Sequence, residues 1–297
     1  MASPYQLAIR GRLVVVGKEP DGDSVRFLAD TPDLYQQLAR AFRIKPSTKD
    51  GSVQLRFEGV DAPELHYGNA AQPLGAEART RLLDRLGFSH VVYQSSPPTM
   101  VESADPPDGV RAAVLSSMAE ANGRPVAYLL VGGDDALPAD GVWTLVDDLL
   151  LRNTINAWLL GEGLAYYTVY TSTPASHRDT LRALAADARH RRVGVWDLDQ
   201  TADFALTDQD SIGPAGQLIL PKLFRRCTDY LKAVAKGFSG NLSDWIVSVS
   251  TGTGSRDEND QVLVCDHVQV HLSDLLEQRN NRIAFQADLL DITFVEK

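Results

Sequence analysis

Three short motifs in the first half of the chain combine acidic residues with arginines. They are Asp-Gly-Asp-Ser at 21–24, Arg-Phe-Glu-Gly-Val-Asp-Ala-Pro-Glu at 56–64 and Gly-Arg at 123–124. Carboxylate and carbonyl oxygens are the ligands that a hard cation such as Ca²⁺ prefers. One guanidinium group can donate hydrogen bonds to two phosphate oxygens at once, and it keeps its charge at every working pH. Hydrolysis of a phosphodiester needs both kinds of group, because charge at phosphorus must be neutralised while a water is activated.

The acidic residues are spaced so that neighbouring strand ends could place them around one ion. Asp23 follows a glycine turn and Asp61 ends a predicted strand. Both carboxylates could therefore reach the same cation, and Ala62 would add its backbone carbonyl. Glu64 follows three residues after Asp61, and Pro63 stiffens the turn between them. Its carboxylate could hold a metal-bound water or act as a general base.

Arg56 and Arg124 are the candidates for phosphate binding. Arg56 lies on the same predicted strand face as Val60 and beside the acidic cluster, and Arg124 opens the next strand. Taken singly, the motifs have ordinary explanations: a turn at 21–24, a capped helix start at 61–64 and a solvated strand end at Arg124. Their joint occurrence, in this order, is what indicates a site.

Hydrophobic patterns predict the elements that must position these motifs. Strands are expected in a hairpin over 7–28 and at 52–60, 89–94 and 124–131, and helices at 76–86, from 147 and from 173. The segments 30–49, with a short helical pattern, and 95–120, rich in Pro and Ser, are interpreted as insertions. Residues 199–215 are interpreted as a linker, and residues 216–297 as a small C-terminal α+β domain.

The order of motifs and elements resembles the staphylococcal-nuclease (thermonuclease-like) family over about residues 6–198. The resemblance extends to Gly-Leu-Ala at 163–165, Asn156 upstream of it and Gly-Val-Trp-Asp at 194–197. It implies an α+β fold, with a five-stranded OB-fold β-barrel and three helices, and a Ca²⁺-dependent nuclease activity. The roles implied for this sequence are Ca²⁺ binding by Asp23, Asp61 and the Ala62 carbonyl, water activation by Glu64, and phosphate binding by Arg56 and Arg124. Asp21 would be a supporting carboxylate near the ion.

The sequence departs from the family pattern just before the Gly-Arg pair. The family has basic and aromatic residues there, whereas this chain has Ala121 and Asn122, so a side chain that would grip a terminal phosphate is missing. Tyr167 and Tyr170, like Tyr166, follow the Gly-Leu-Ala turn and could supply a hydroxyl to the substrate. The same Tyr-Tyr-Thr-Val-Tyr run also fits a buried strand-like segment, and both interpretations stay open.

Composition restricts the partners. The chain has 29 Lys and Arg against 39 Asp and Glu, a net charge of −10. This disfavours a protein that coats nucleic acid nonspecifically, because such affinity comes from phosphate neutralisation. Arginines interrupt the apolar run near the N-terminus, and no stretch reaches the roughly 18 apolar residues of a membrane span. We therefore expect a cytoplasmic protein without membrane contact, acting on DNA or RNA that is single-stranded or otherwise restricted.

Three functions are compatible with these patterns. The first is a calcium-dependent nuclease, a hydrolase that cuts phosphodiester bonds of DNA, RNA or both. The second is a catalytically weak module on the same fold that binds nucleic acid or protein, although the intact Asp23, Asp61 and Glu64 argue against it. The third places the main role in residues 216–297, as a unit that docks a partner or forms a homo-oligomer.

Overall fold

The first 198 residues fold around a strongly curved β-sheet. The computed structural model describes residues 3–250 and 258–296. The strands of this part are β1 (Tyr5–Val14), β2 (Arg26–Ala29), β3 (Val53–Gln54), β4 (Arg56–Phe57), β5 (Val60–Asp61), β6 (Ser89–Tyr93), β7 (Val101–Asp105), β8 (Val110–Ala119), β9 (Pro125–Val131), β10 (Trp143–Leu145) and β11 (Tyr166–Tyr167). Its helices are α1 (Gly75–Leu86), α2 (Asp148–Arg152), α3 (Ile155–Gly161), α4 (Ala175–Arg191) and α5 (Val195–Leu198).

The sheet nearly closes on itself because its two ends are adjacent in the chain. The strand order is β3-β2-β1-β8-β9-β4, with β10 also paired to β1. β4 runs parallel to β9. The pairings of β2 with β1, of β1 with β8 and of β8 with β9 are antiparallel. β3 and β4 stand at opposite ends of this order, yet only Leu55 separates them in sequence. The sheet must therefore curl until its edges meet. This α+β barrel confirms the predicted fold class.

Apolar side chains fill the barrel and the space beneath its helices. Leu7, Ile9, Phe27 and Phe57 are fully or almost fully buried. Helix α1 buries one face at the spacing of an amphipathic helix, through Ala78, Leu82, Leu83 and Leu86. It ends at Gly87, whose φ of 95° is the left-handed conformation that favours glycine. The helix is thereby fixed on the barrel next to the acidic motifs.

The segment 95–120 differs from its prediction. Residues 101–105 form β7, which pairs with β6 in a separate ribbon, and only this ribbon leaves the barrel. Val110–Ala119 instead form β8, which lies between β1 and β9 in the middle of the sheet. Four successive residues of β8, 112–115, are fully buried. The strand therefore lacks the apolar and polar alternation by which a half-buried strand is recognised.

The helical segments are confirmed, with two changes. The pattern that begins at Asp147 is two helices, α2 and α3, because Thr154 starts a new helix: its Oγ1 accepts a hydrogen bond from the Ala157 N–H (3.2 Å). The short helical pattern within 30–49 corresponds to two 3₁₀ segments, Pro32–Gln37 and Ala41–Arg43.

The C-terminal part is a set of short strands and two helices. Its elements are β12 (Asp203–Ala205), α6 (Pro221–Ala235), α7 (Leu242–Ser250), β13 (Gln261–Val264), β14 (Val268–His271), β15 (Leu276–Arg279), β16 (Arg282–Phe285) and β17 (Ile292–Phe294). The order β12-β16-β15 forms one small sheet and β14-β13-β17 another. In the described part of the chain, no helix combines the length and hydropathy needed to cross a membrane.

The C-terminal part is packed on the barrel through an ordered segment. Residues 199–215, predicted to be a linker, contain β12, and Phe204 and Ile212 within them are fully buried. β17 lies beside the chain that follows β11: the Phe294 N–H donates to the Val169 carbonyl (2.9 Å), and the Thr171 N–H donates to the Phe294 carbonyl (2.8 Å). Buried apolar residues of both parts form one continuous cluster. The division into two domains stays a prediction.

Asn156 connects helix α3 to β9 and to the turn between β4 and β5. It is fully buried in α3, where its Oδ1 accepts from the Leu129 N–H of β9 (3.0 Å). Its Nδ2 donates to the carbonyls of Ala127 (3.0 Å) and Glu58 (2.8 Å). One amide therefore hydrogen-bonds three backbone groups of β9 and of the turn between β4 and β5, of which the Ala127 carbonyl also accepts from the Glu58 N–H (2.9 Å).

Replacing Asn156 by alanine should destabilise the fold strongly. Each buried backbone group left without a partner costs about 1–3 kcal/mol, so Asn156→Ala should lower the free energy of unfolding by about 3 kcal/mol or more. Urea unfolding followed by tryptophan fluorescence measures the change. Asn153→Ala is the control, because the Asn153 side chain is exposed and bonds only locally. A loss below about 1 kcal/mol for Asn156→Ala would contradict the assigned role.

Candidate active site

Separate segments of the chain converge on one cavity of about 470 Å³. The predicted site residues that line it are Asp21, Asp23, Arg56, Asp61, Ala62, Glu64, Arg124 and Tyr170. Tyr167 lies elsewhere: it is buried, with the guanidinium carbon of Arg182 5.8 Å from its ring centre. The cavity is also lined by Lys222, Arg225 and Arg226 of helix α6, which were not among the predicted residues.

A tight turn at 21–24 directs Asp23 toward the end of β5. The Asp21 N–H donates to the Ser24 carbonyl (3.0 Å), and the Gly22 N–H donates to Oδ1 of Asp21 (2.7 Å). A Cβ atom at Gly22 would lie 2.8 Å from the Cβ of Ala62 and 3.0 Å from that of Ala78. Only glycine therefore lets the turn approach both β5 and α1 this closely. The Ala62 N–H in turn donates to Oδ2 of Asp23 (3.1 Å).

The carboxylates repel one another inside this cavity. Desolvation and the charge of Asp61 raise the pKa of Asp23, and desolvation and the charge of Asp23 raise that of Asp21 to about 7. Burial would likewise raise the pKa of Asp61, but the charges of Arg225, Arg56 and Lys222 outweigh it and hold the pKa below its usual value. The site thus holds more negative charge than its arginines compensate.

The two predicted arginines are brought together by the parallel pairing of β4 and β9. Arg56 lies opposite Val126, two residues after Arg124. Arg56 Nη2 donates to the Tyr170 hydroxyl (3.3 Å), and its guanidinium carbon lies 5.5 Å from the Tyr170 ring centre. Arg124 Nε forms an ion pair with Glu120 Oε1 (3.1 Å) and keeps a third of its side chain exposed. Tyr170 therefore lines the cavity next to a phosphate-binding candidate, and its contact with substrate stays a prediction.

Glu64 is positioned by a residue that the motifs did not reveal. The buried Gln72 accepts from the Glu64 N–H through its Oε1 (3.1 Å) and donates its own N–H to the Glu64 carbonyl (2.9 Å). Gln72 Nε2 also donates to the Ile219 carbonyl (2.7 Å), which links this loop to the C-terminal part. Burial, opposed by Arg225, raises the pKa of Glu64 to about 7.

Arg225 is the second residue that was missed, and it touches the catalytic candidates directly. Its Nη2 pairs with Asp61 Oδ2 (3.1 Å), and its Nη1 pairs with Glu64 Oε1. A sequence signal does exist: Lys222, Arg225 and Asp229 recur at helical spacing with Arg226, so α6 presents a polar stripe opposite its apolar face. Nothing in that stripe indicates which surface it meets.

The donors of the acidic cluster suit a hard cation. Asp23, Asp61 and the Ala62 carbonyl offer only oxygen, as Ca²⁺ requires, and a cation would favour the charged forms of Asp21 and Asp23, whose pKa values burial and the neighbouring carboxylates raise. Within residues 3–250 and 258–296, no group of three acidic, histidine or cysteine side chains forms a ready-made metal cage. A cation held here would therefore take its remaining ligands from water and substrate.

Comparison with known proteins agrees with this geometry. Residues 54–198 match the sequence model of the family described as staphylococcal nuclease homologue. The chain is 36% identical over 112 residues to a probable endonuclease LCL3 of Schizophyllum commune, covering 33% of this chain and 37% of that protein. It is 36% identical over 85 residues to the protein of the same name from Arthroderma otae, covering 27% and 29%. It is 26% identical over 200 residues to endonuclease Htp3 of Saprolegnia parasitica, covering 66% and 74%.

The matches have different extents. The chain spans about a third of the length of the first two relatives, and the alignment to the third covers most of that protein. The family match includes Arg56, Asp61, Glu64 and Arg124, whereas Arg225 lies outside it. Together with the nearly closed barrel, the match identifies residues 54–198 as a domain of the staphylococcal nuclease family, whose fold is the OB barrel.

Proposed function

We propose that this protein is a calcium-dependent nuclease that hydrolyses phosphodiester bonds of DNA, RNA or both. The observation that carries the proposal is the meeting of Asp23, Asp61, Glu64, Arg56 and Arg124 in one cavity, although they come from three distant segments. Membership of the barrel in a nuclease family supports it, as do relatives that are named endonucleases.

The chain's own residues divide the reaction among them. Arg56 and Arg124 bind the nonbridging oxygens of the phosphate, where their fixed charge opposes the charge that grows in the transition state. Glu64 orients a water and takes its proton as the water oxygen bonds to phosphorus and the bond to the leaving oxygen breaks. Asp23, Asp61 and the Ala62 carbonyl would hold Ca²⁺, which supplies further positive charge to the phosphate oxygens.

The acidic character of the protein favours a restricted substrate. The net charge is −10, so long-range attraction for bulk duplex is weak and binding depends on local contacts in the cavity. A cavity of about 470 Å³ is of the size that encloses small ligands. A single strand, whose backbone can enter such a space without a complementary strand, is the substrate that fits these conditions.

A second candidate function is a non-catalytic module that binds nucleic acid or protein. It is favoured by the ion pairs of Arg225 with Asp61 and Glu64, which occupy the carboxylates that catalysis needs. An assembly role for residues 216–297 stays a separate proposal, which the mass of the chain in solution tests. The nuclease and the binding module differ in one respect: only the first turns over substrate.

Removing the carboxylate of Glu64 should abolish most of the activity. Because glutamine cannot accept the proton of the attacking water, Glu64→Gln should lower kcat by about 10²- to 10⁴-fold on a single-stranded oligonucleotide. Glu77→Gln, an exposed change in the first turn of α1, is the matched control and should leave kcat within about twofold. An unchanged rate for Glu64→Gln would mean that another group activates the water.

Cleavage should depend on added Ca²⁺. Single-stranded DNA and RNA incubated with EGTA should stay intact, and excess Ca²⁺ should restore cleavage, because the ion would supply positive charge to the phosphate oxygens in the transition state. Asp23→Asn, which removes one proposed ligand, should weaken Ca²⁺ binding measured by calorimetry. Equal and negligible cleavage with Ca²⁺ and with EGTA would reject the nuclease in favour of the binding module.

A further inference from the structure

Helix α6 faces the cavity with a stripe of charged residues. Lys222, Arg225, Arg226 and Asp229 lie along one side, and the apolar residues Leu223, Phe224, Cys227 and Tyr230 are buried. This helix is outside the stretch that matches the nuclease family. Its contribution to the cavity is therefore a property of this chain that family membership does not supply.

The three cations of the stripe differ in their availability. Lys222 Nζ and Arg226 Nη2 both bond to Oδ2 of Asp260, at 3.1 Å and 2.7 Å, and both side chains are less than 10% exposed. Arg225 keeps 26% of its side chain exposed while lining the cavity. Lys222 and Arg226 are thus committed to a buried ion-pair network, and Arg225 is the most exposed of these three cavity-lining cations.

Arg225 is held in place without using all of its donors. Its hydrogen bonds go from Nη1 and Nη2 to Asp61 and Glu64. A guanidinium has five N–H donors, and these bonds take at most three of them. Among the residues that the structure describes, no other bond to this guanidinium is found. At least two donors are therefore left over on a cavity-lining group that its ion pairs hold in place, which is what a preorganised anion-binding residue requires.

The helix that carries Arg225 is anchored on both sides. The Tyr67 hydroxyl donates to Asp229 Oδ2 (2.5 Å), and Gln72 donates to the Ile219 carbonyl just before the helix (2.7 Å). Lys222 Nζ lies over the rings of Phe294 and Tyr170, at 4.2 Å and 5.1 Å from their centres. Arg225 is thus set in a wall of the cavity that several contacts hold rigid.

Arg225 adds positive charge to a site whose other elements lack a basic or aromatic side chain just before the Gly-Arg pair. Ala121 and Asn122 line the cavity where a basic or aromatic side chain would assist Arg124. Arg225 and Arg56 both lie close enough to Asp61 to lower its pKa, so two guanidiniums flank this carboxylate. A phosphate placed beside Asp61 would meet positive charge from the barrel and from helix α6.

We propose that Arg225 is a substrate-binding residue that grips a phosphate of a single nucleic acid strand. The C-terminal part thereby completes the nuclease site with a guanidinium that the family domain lacks. The inference rests on the proposed nuclease function, because it names a further residue of the same site.

The test compares Arg225→Met and Arg225→Lys with the wild type on a short single-stranded DNA oligonucleotide at saturating Ca²⁺. Methionine keeps an apolar stem and removes the charge, so KM should rise about tenfold or more. Lysine restores the charge without the planar donors and should recover part of the loss. Lys236→Met, which removes one exposed charge at the end of the same helix, should leave KM within about twofold. Circular dichroism and Tm verify that each variant is folded.

Binding without turnover separates this inference from the proposed function. Fluorescence anisotropy of the labelled oligonucleotide in EGTA should show weaker binding by Arg225→Met than by the wild type and Lys236→Met. If no protein cleaves but this difference holds, the nuclease proposal fails and the role of Arg225 stands. An unchanged KM and unchanged binding, or no binding by the wild type, overturns the role. A higher kcat/KM with tighter Ca²⁺ binding in Arg225→Met also overturns it, because Arg225 would then block the site.

Discussion

Four carboxylates share one cavity, and the rest of the site depends on how their burial and their like charges are compensated. Asp21, Asp23, Asp61 and Glu64 are shielded from bulk water at short range, where like charges cost far more than in solvent. Burial first, and the neighbouring carboxylates second, raise the pKa values of Asp21, Asp23 and Glu64. Such a cluster of carboxylates is stable in a folded protein when positive groups compensate its charge. Arginines of the chain supply part of that charge, and the proposed divalent cation, together with a bound phosphate, would account for the rest.

The barrel brings these groups together through backbone geometry. The parallel pairing of β4 with β9 places Arg56 near Arg124, although the two are 68 positions apart in sequence. Gly22 allows the acidic turn to approach β5 and α1, and Asn156 holds β9 against the turn between β4 and β5. Each device acts on the backbone, so the reacting side chains need no strain of their own to meet. This is the expected property of a site built on rigid elements.

The C-terminal part supplies some of the residues that line the cavity. It shares a core with the barrel, adds β17 next to the chain after β11, and places helix α6 along the cavity. An open groove would accept nucleic acid by broad electrostatic attraction, which the net charge of −10 opposes. In the proposed nuclease, a cavity that the C-terminal part also lines would instead select substrates by local contacts. The acidic composition and the added helix therefore point to the same restricted mode of recognition.

The residues that meet in the cavity could largely be predicted from the sequence, because candidate metal ligands and phosphate-binding arginines are recognised by residue type and short spacing. Asp23, Asp61, Glu64, Arg56 and Arg124 were all predicted from such motifs, and the helices from their apolar periodicity. Strand β8 was not predicted, because burial on both faces removes the alternation of apolar and polar residues that marks a strand. The packing of segment 199–215 was not predicted, because its polar composition resembles that of a linker. Its few apolar residues pack against residues far away in sequence, as the pairing of β12 with β16 shows. The contacts of Arg225, the role of Gln72 and the different locations of Tyr167 and Tyr170 required the folded chain. Those contacts join residues as many as 164 positions apart, and no local pattern records which buried surfaces will meet.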